Sequence, residues 1–254
     1  MHEKRPRMPG FSVRERYYNR VLPKDFDPKV IVDVGALYDS MSWLRERFPS
    51  ARIIASNIMP VHLDSVPDEW AEKHLGAAES LPNLGEVDLI FLGQVIEHLV
   101  YPQEFLARAI QLLRLGGRIL ISTPNLATWH NRLLMLFGYS PSNYSMIPGM
   151  HLGIPPRLAR MARRGYGDHI RVFTYKALEE LFDTAPWKLD AITSTAAIQR
   201  DRPMHRVRNG VDAAPPRSAR ESVFHCARLV SKQRTERVES TGRIGNKAPN
   251  PYSC

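Results

Sequence analysis

Cysteine is nearly absent: Cys226 and Cys254 are the only two in 254 residues. So sparse a set excludes a disulfide-stapled scaffold and offers no paired-cysteine metal spacing. No apolar run approaches the length of a membrane-spanning helix. The opening residues, Met1-His2-Glu3-Lys4-Arg5-Pro6, have no apolar stretch behind their charges, which argues against a secretory leader. A cytoplasmic protein with no membrane partner is therefore expected. Acidic residues are also short, 26 against 35 Lys and Arg, leaving a net charge of +9. The excess is local. Residues 200–254 hold 12 basic and 5 acidic side chains, so +7 of the charge sits there and the rest of the chain is nearly neutral. A basic stretch with few aromatics reads as a solvated extension. A near-neutral remainder argues against a broad nucleic-acid face.

What remains has ordinary globular composition, 43% hydrophobic and 24% charged. The apolar pattern alternates between strand and helix. Val30 to Val34 is a continuous β-branched run stopped by Gly35, as a strand covered on both faces would be. Residues 39–48 carry Met41, Trp43, Leu44 and Phe48 at helical spacing before Pro49. A second strand is expected over Ala51–Asn57, a helix over about 62–74 and a short strand near Leu75–Ala78. Val87–Leu92 is a further strand. Pro102–Arg114 reads as a helix ended by Gly116-Gly117 in a left-handed cap, and Arg118–Ser122 as the next strand. Thr174 is a candidate N-cap for a helix to Phe182. Trp187–Thr193 and Val223–Val230 are later strand candidates, and a short helix is expected around Val13–Val21.

Such alternation implies an α/β doubly wound sheet with helices on both faces. Ligands of these sheets sit beyond the C-terminal strand ends, where strand order switches. Attention therefore falls on Asp33–Asp39, Ser56-Asn57, Leu92–Glu97 and Ser122–Asn125. The expected organisation is an N-terminal extension (1–29), one domain (30–231) with a lid insertion at about 139–168, and a basic, disordered tail (232–254).

Three segments in order carry a family resemblance: Val30-Ile-Val-Asp-Val-Gly35, Asp88-Leu-Ile-Phe-Leu-Gly-Gln-Val-Ile-Glu-His-Leu99 and Leu115-Gly-Gly-Arg-Ile-Leu-Ile-Ser-Thr-Pro-Asn125. Together they resemble the class I S-adenosylmethionine (SAM) dependent methyltransferases, in particular those similar to ubiquinone O-methyltransferases. The resemblance implies a Rossmann-like, seven-stranded sheet whose last strand is antiparallel, with Val223–Val230 the candidate for it. It implies SAM as cofactor.

The family's first strand ends in an acidic-x-Gly-x-Gly-x-Gly turn; here Asp33 and Gly35 match, while Leu37 and Asp39 replace the later glycines. Its second strand ends in an acid that takes both ribose hydroxyls; here Asn57 stands there, with one acceptor oxygen instead of two. In the Ala-Glu-x-Leu-Pro segment, Ala78 and Glu79 match and Ala77 replaces an acid. Three weakened contacts at about 1–3 kcal/mol each lower the expected affinity for SAM by about two orders of magnitude or more. Asp39, Tyr38, Gln94 and Glu79 are the candidates for substitute contacts.

Gln94-Val-Ile-Glu97-His98 and Asp168-His169 resemble the Glu-x-x-Glu-His and later histidine of metal-assisted O-methyltransferases. The resemblance implies a catalytic set of His98, His169 and Glu97, in which a histidine takes the hydroxyl proton. Alternatively, Glu97, His98 and His169 hold a divalent metal that acidifies that hydroxyl, or the histidines are structural. Gln94, where a carboxylate would stand, weighs against the metal. His151 and Arg157–Arg164 lie in the lid, where cleft or solvent roles both fit. Trp129, Tyr139 and Tyr144 offer either an apolar acceptor wall or lid packing, and Asn125 either an acceptor contact or a turn.

Three readings stand side by side. One is O-methylation of a small-molecule acceptor. The second is a repurposed fold, either a SAM-independent enzyme or a partner subunit. The third is an RNA 2′-O-methyltransferase. Oligomeric state is not legible.

Overall fold

The computed structural model describes residues 11–142, 144, 152–155, 169–183, 187–196 and 223–232; side chains are described for 14–142, 144, 152–155 and 169–182. His151, Arg157–Arg164, Asp168 and the chain beyond Lys232 lie outside these residues, so the expectations for the lid and tail are not addressed there.

Five parallel strands form the core of the sheet: β1 (Val30–Val34), β2 (Arg52–Asn57), β3 (Glu72–Leu75), β4 (Val87–Gly93) and β5 (Leu113–Pro124). Two later strands, β6 (Trp187–Ala196) and β7 (Val223–Lys232), extend it in the order β3-β2-β1-β4-β5-β7-β6. β7 runs antiparallel to β5, and β6 antiparallel to β7. Strand order reverses between β1 and β4, which opens a crevice at their C-terminal ends.

The β-branched and aromatic runs form buried strands because both faces are covered. Side chains alternate at period two. Ile31, Ile53, Leu89, Phe91 and Leu120 face one cluster with α1 (Phe11–Val21) and α2 (Tyr38–Arg47). Val32, Val34, Ile54, Ile90, Leu92, Ile119 and Ile121 face the other with α4 (Pro102–Leu112) and the helix over Tyr175–Asp183. Tyr18 of α1 packs on Trp43 and Phe91, ring centroids 5.1 and 5.0 Å apart. The helix at 175–183 starts as its sequence dictates: the Ala177 amide donates to Thr174 Oγ1 at 3.0 Å.

Two expectations fail for local reasons. The helix over 62–74 is only α3 (Pro60–Asp64), and the strand after it begins at Glu72. Pro67 lacks an amide proton and pushes Val66 out of the helical region, so the turn cannot propagate. Glu72–Leu75 then pair with Ile54–Asn57. Gly116-Gly117 does not cap α4 either. The strand has already begun at Leu113; the pairing jumps from Val87–Leu113 to Leu89–Arg118. Gly116, at φ +75, lies in the irregular stretch between them. It uses its left-handed freedom within a strand, not at a helix end.

Candidate functional site

Parallel pairing brings the strand ends level. Val34 lies beside Ser56 and Leu92, and Gly93 beside Ser122. Asp33, Asn57, Gln94 and Thr123 are thereby gathered at one edge of the sheet.

The turn after β1 is built on Gly35, at φ +76. Its amide and that of Ala36 donate to the Ser56 carbonyl at 2.8 and 3.0 Å, fixing the turn onto β2. A Cβ on Gly35 would stand 2.4 Å from Cγ2 of Val95, inside any real contact distance. Beneath the turn Asp33 is fully buried and accepts a hydrogen bond from Ser40 Oγ at 2.5 Å. Burial lifts its pKa to about 8, the Ser40 bond offsetting only part of that push. Asp39, where a glycine was expected, is buried in the first turn of α2, where the helix dipole favours a negative charge.

Asn57 does something its sequence position does not announce. Its Nδ2 donates to the Ala36 carbonyl at 2.9 Å, and its Oδ1 accepts from the Met59 amide at 2.9 Å. The side chain thus ties the loop after β1 to the loop after β2. Ala78 is buried in a short 3-10 turn, Ala78–Ser80, and Glu79 of the same turn receives the Tyr101 amide at 3.5 Å.

Gln94 is the one described non-glycine residue at positive φ (+66). Its amide donates to the Ser122 carbonyl at 2.9 Å and its Nε2 to Ser122 Oγ at 3.0 Å. Ser122 Oγ also meets the Tyr18 hydroxyl at 2.8 Å. Burial raises the Tyr18 pKa to about 12, so the phenol keeps its proton at physiological pH. Sequence reasoning missed Tyr18 and Ser40, whereas Ser122 lay in a strand end it had singled out. For Tyr18 the available signal was the apolar spacing within Val13–Val21.

The 3-10 turn Ile96–His98 carries Glu97 and His98. The chain at Arg171 is stapled to this turn: its amide donates to the Glu97 carbonyl at 3.0 Å and its Nε to the Leu99 carbonyl at 3.1 Å. That staple sets His169 over Glu97, with Nε2 3.9 Å from Oε1. The His98 and His169 rings meet edge-on, centroids 4.8 Å apart. His98 is exposed; Glu97 and His169 are buried. Neither carboxyl oxygen of Glu97 has a hydrogen-bond partner among the described residues, and neither does Thr123 Oγ1. Burial pushes the Glu97 pKa up to about 8, and proximity to Thr123 relieves little of it.

One ligand atom from each of Glu97, His98 and His169 lies within 4.8 Å of the others. Three such groups at the C-terminal edge of a doubly wound sheet are chemically able to move a proton or hold a cation.

Matching the chain to known proteins decides the family. The methyltransferase domain family matches residues 3–192, three quarters of the chain. The chain belongs to the class I SAM-dependent methyltransferases. Malonyl-[acyl-carrier protein] O-methyltransferase of Hahella chejuensis is 34% identical to this chain over 115 residues, 40% of this chain and 39% of the relative. The chain thus spans about two-fifths of that curated relative's length. Among solved structures, a Thermotoga maritima SAM-dependent methyltransferase, titled a possible histamine N-methyltransferase, superposes with a TM-score of 0.56 at 12% identity, covering 89% of both chains. The N-methyltransferase NodS of Bradyrhizobium japonicum WM9, in complex with S-adenosylhomocysteine, gives 0.54 at 10% identity over 89% of this chain and 88% of its own. At such identities the likeness is one of fold.

SAM is the family's cofactor, and this chain's own residues fit it. SAM carries an ammonium and a sulfonium. A buried carboxyl such as Asp33, raised to about 8, is of a type that a nearby cationic group can convert into a counter-ion. Exposed Ile58 and Leu75, at the ends of β2 and β3, supply apolar surface suited to a purine.

The two buried carboxyls give the protein a pH signature. Between the ordinary 3.8 and about 8, Asp33 in the fold binds a proton that the unfolded chain has released. Glu97 does the same from 4.5 to about 8. Stability therefore falls as pH rises through this window. Thermal melts across it should show a falling melting temperature, and Asp33→Asn should flatten the slope by roughly half. An unchanged slope in the variant would remove Asp33 as a source.

Proposed function

We propose that this chain transfers the SAM methyl group to an oxygen of a small-molecule acceptor, with Glu97, His98 and His169 handling the acceptor proton. The observation that carries the reading is the buried, hydrogen-bond-orphaned Glu97 carboxyl facing His169 Nε2 at 3.9 Å. An amine acceptor needs only to be deprotonated before attack. A hydroxyl must lose its proton as the carbon–oxygen bond forms, and this asks for a base within reach. His98, the exposed member, is placed to take that proton. His169 and Glu97 behind it stabilise the resulting imidazolium.

Asp33, Gly35, Asp39, Asn57, Ala78, Glu79 and Gln94 form the cofactor half of the same edge. Gly35 and the turn it shapes meet the methionine portion, Asp33 balances the ligand's positive charge, and Asn57 Oδ1 offers its remaining lone pair to the ribose. Glu79 and Ala78 border the adenine. We read residues 30–231 as the domain that holds both halves. The oxygen chemistry named for the Hahella relative supports the choice of acceptor atom.

A second reading is favoured by the close approach of three ligand atoms: Glu97, His98 and His169 hold a divalent cation. Two imidazoles and one carboxylate suit a first-row transition metal better than magnesium or calcium. Such an ion would lower the pKa of an acceptor hydroxyl.

The test uses purified protein and SAM labelled on its methyl group, offered to matched hydroxyl, carboxylate and amine acceptors with and without EDTA. Label on oxygen that survives EDTA supports the proton-transfer reading. Label on oxygen abolished by EDTA and restored by manganese or zinc supports the metal. Transfer to amines alone would sink both.

A further inference from the structure

We infer that Tyr18 of α1 is a positioning residue of the cofactor site: through Ser122 it fixes Gln94, and with it the turn that leads to Glu97 and His98. The inference rests on the proposal that Gln94 belongs to the cofactor half of the site.

Packing explains the ring of Tyr18 but not its hydroxyl. The side chain is 2% exposed and fills the space between Trp43 and Phe91. Phenylalanine would pack there as well. A buried hydroxyl is costly unless it is bonded. This one meets Ser122 Oγ at 2.8 Å, and Ser122 is itself buried. Two hydroxyls thus face each other beside an aromatic cluster, where a pair of apolar groups of the same shape would serve stability equally.

The second bond on Ser122 Oγ says what the pair does. It comes from Gln94 Nε2 at 3.0 Å, while the Gln94 amide donates to the Ser122 carbonyl at 2.9 Å. Ser122 therefore grips Gln94 by backbone and side chain together. The grip is needed, because Gln94 lies at φ +66, a conformation that strains a residue carrying a Cβ. Such strain persists only where the surroundings over-determine it. Gly93 shows how closely the strand end passes over the tyrosine. A Cβ there would stand 2.8 Å from Cζ of buried Phe91 and 3.5 Å from the Tyr18 hydroxyl. Gly93 is the last residue of β4 and Gln94 the first beyond it, beside the switch in strand order where ligands of such sheets bind.

Both buried carboxyls act on this hydroxyl. Burial is the main force that keeps the proton on Tyr18; the Ser122 bond and Arg14 of α1 oppose it, and Glu97 and Asp33 add to it. The phenol is an anchor that stays neutral while the two carboxyls titrate.

The test is calorimetric titration of the full chain with S-adenosylhomocysteine, alongside thermal melts. Tyr18→Phe keeps the ring and removes the hydroxyl, and Ser122→Ala removes the middle of the relay. Each is expected to weaken binding about tenfold, the scale of one buried hydrogen bond. Gln94→Ala should weaken it at least as much. In the Gln94→Ala background, Tyr18→Phe should change affinity by less than about twofold, because the relay then has nothing to hold. A residue that only stabilises the fold would cost the same factor in both backgrounds, in step with the melting temperature. Wild-type affinity in Tyr18→Phe or Ser122→Ala, with Gln94→Ala impaired, overturns the inference alone. So does a loss in Tyr18→Phe that persists in full without Gln94. Wild-type affinity in Gln94→Ala removes Gln94 from the cofactor half, and the inference falls with that reading.

Discussion

Gly35→Asp is expected to abolish detectable S-adenosylhomocysteine binding by calorimetry, a loss of at least about a hundredfold. Three costs coincide. The residue sits at φ +76, where an L-residue pays about 1–2 kcal/mol. Its new Cβ would stand 2.4 Å from Val95 Cγ2, so either the turn or Val95 must move. If the turn moves, the amides of Gly35 and Ala36 leave the Ser56 carbonyl that anchors them. A carboxylate beside buried Asp33 opposes the ionisation of Asp33. Gly35→Ala separates these costs, since it keeps the backbone strain and the clash but adds no charge. Val95→Ala in the Gly35→Ala background relieves the clash alone, so recovered affinity assigns that portion to packing. A folded Gly35→Asp protein that binds S-adenosylhomocysteine like the wild type would show that the turn does not shape the cofactor pocket.

His169→Ala is expected to lower kcat by about 10²–10⁴-fold with S-adenosylhomocysteine affinity nearly unchanged. His169 is buried against Glu97 and in ring contact with exposed His98. Removing it takes away the imidazole 3.9 Å from the Glu97 carboxyl and the ring that His98 meets edge-on. Glu97→Gln keeps the shape and removes the titrating group, so it should lower kcat and shift the acid limb of the pH–rate profile. A variant that is merely destabilised would lose melting temperature and leave the limb where it was. Activity of His169→Ala equal to wild type would remove the cluster from the chemistry.

The strands were legible wherever burial on both faces forced a continuous apolar run, as in Val30–Val34 and Val87–Leu92. The family could be read from three such strand ends in order. Elements set by one residue's backbone were less so. Pro67 cut short the expected helix over 62–74, and the left-handed Gly116 lies inside a strand because tertiary pairing, not helix termination, uses it. At the site, Glu97, His98 and His169 could be named only through the family resemblance, and these three do converge. Their burial was not legible. Nothing local says that a carboxylate after Val95-Ile96 is sealed from water, because the seal comes from Thr123 on β5 and from a chain segment more than seventy residues away. Tyr18 escaped notice for the same reason, since its partner Ser122 is distant in sequence.

The Asn57 side chain carries a consequence for how a cofactor is held. An acid at this position could accept the Met59 amide but could not donate to the Ala36 carbonyl. Asn57 is already satisfied on the Ala36 carbonyl and the Met59 amide, so the two loops bordering the crevice are bolted together before anything arrives. A ligand entering such a preorganised cradle spends little of its binding energy on ordering the walls. The polar contact given up by replacing an acid is thus offset by entropy that need not be lost.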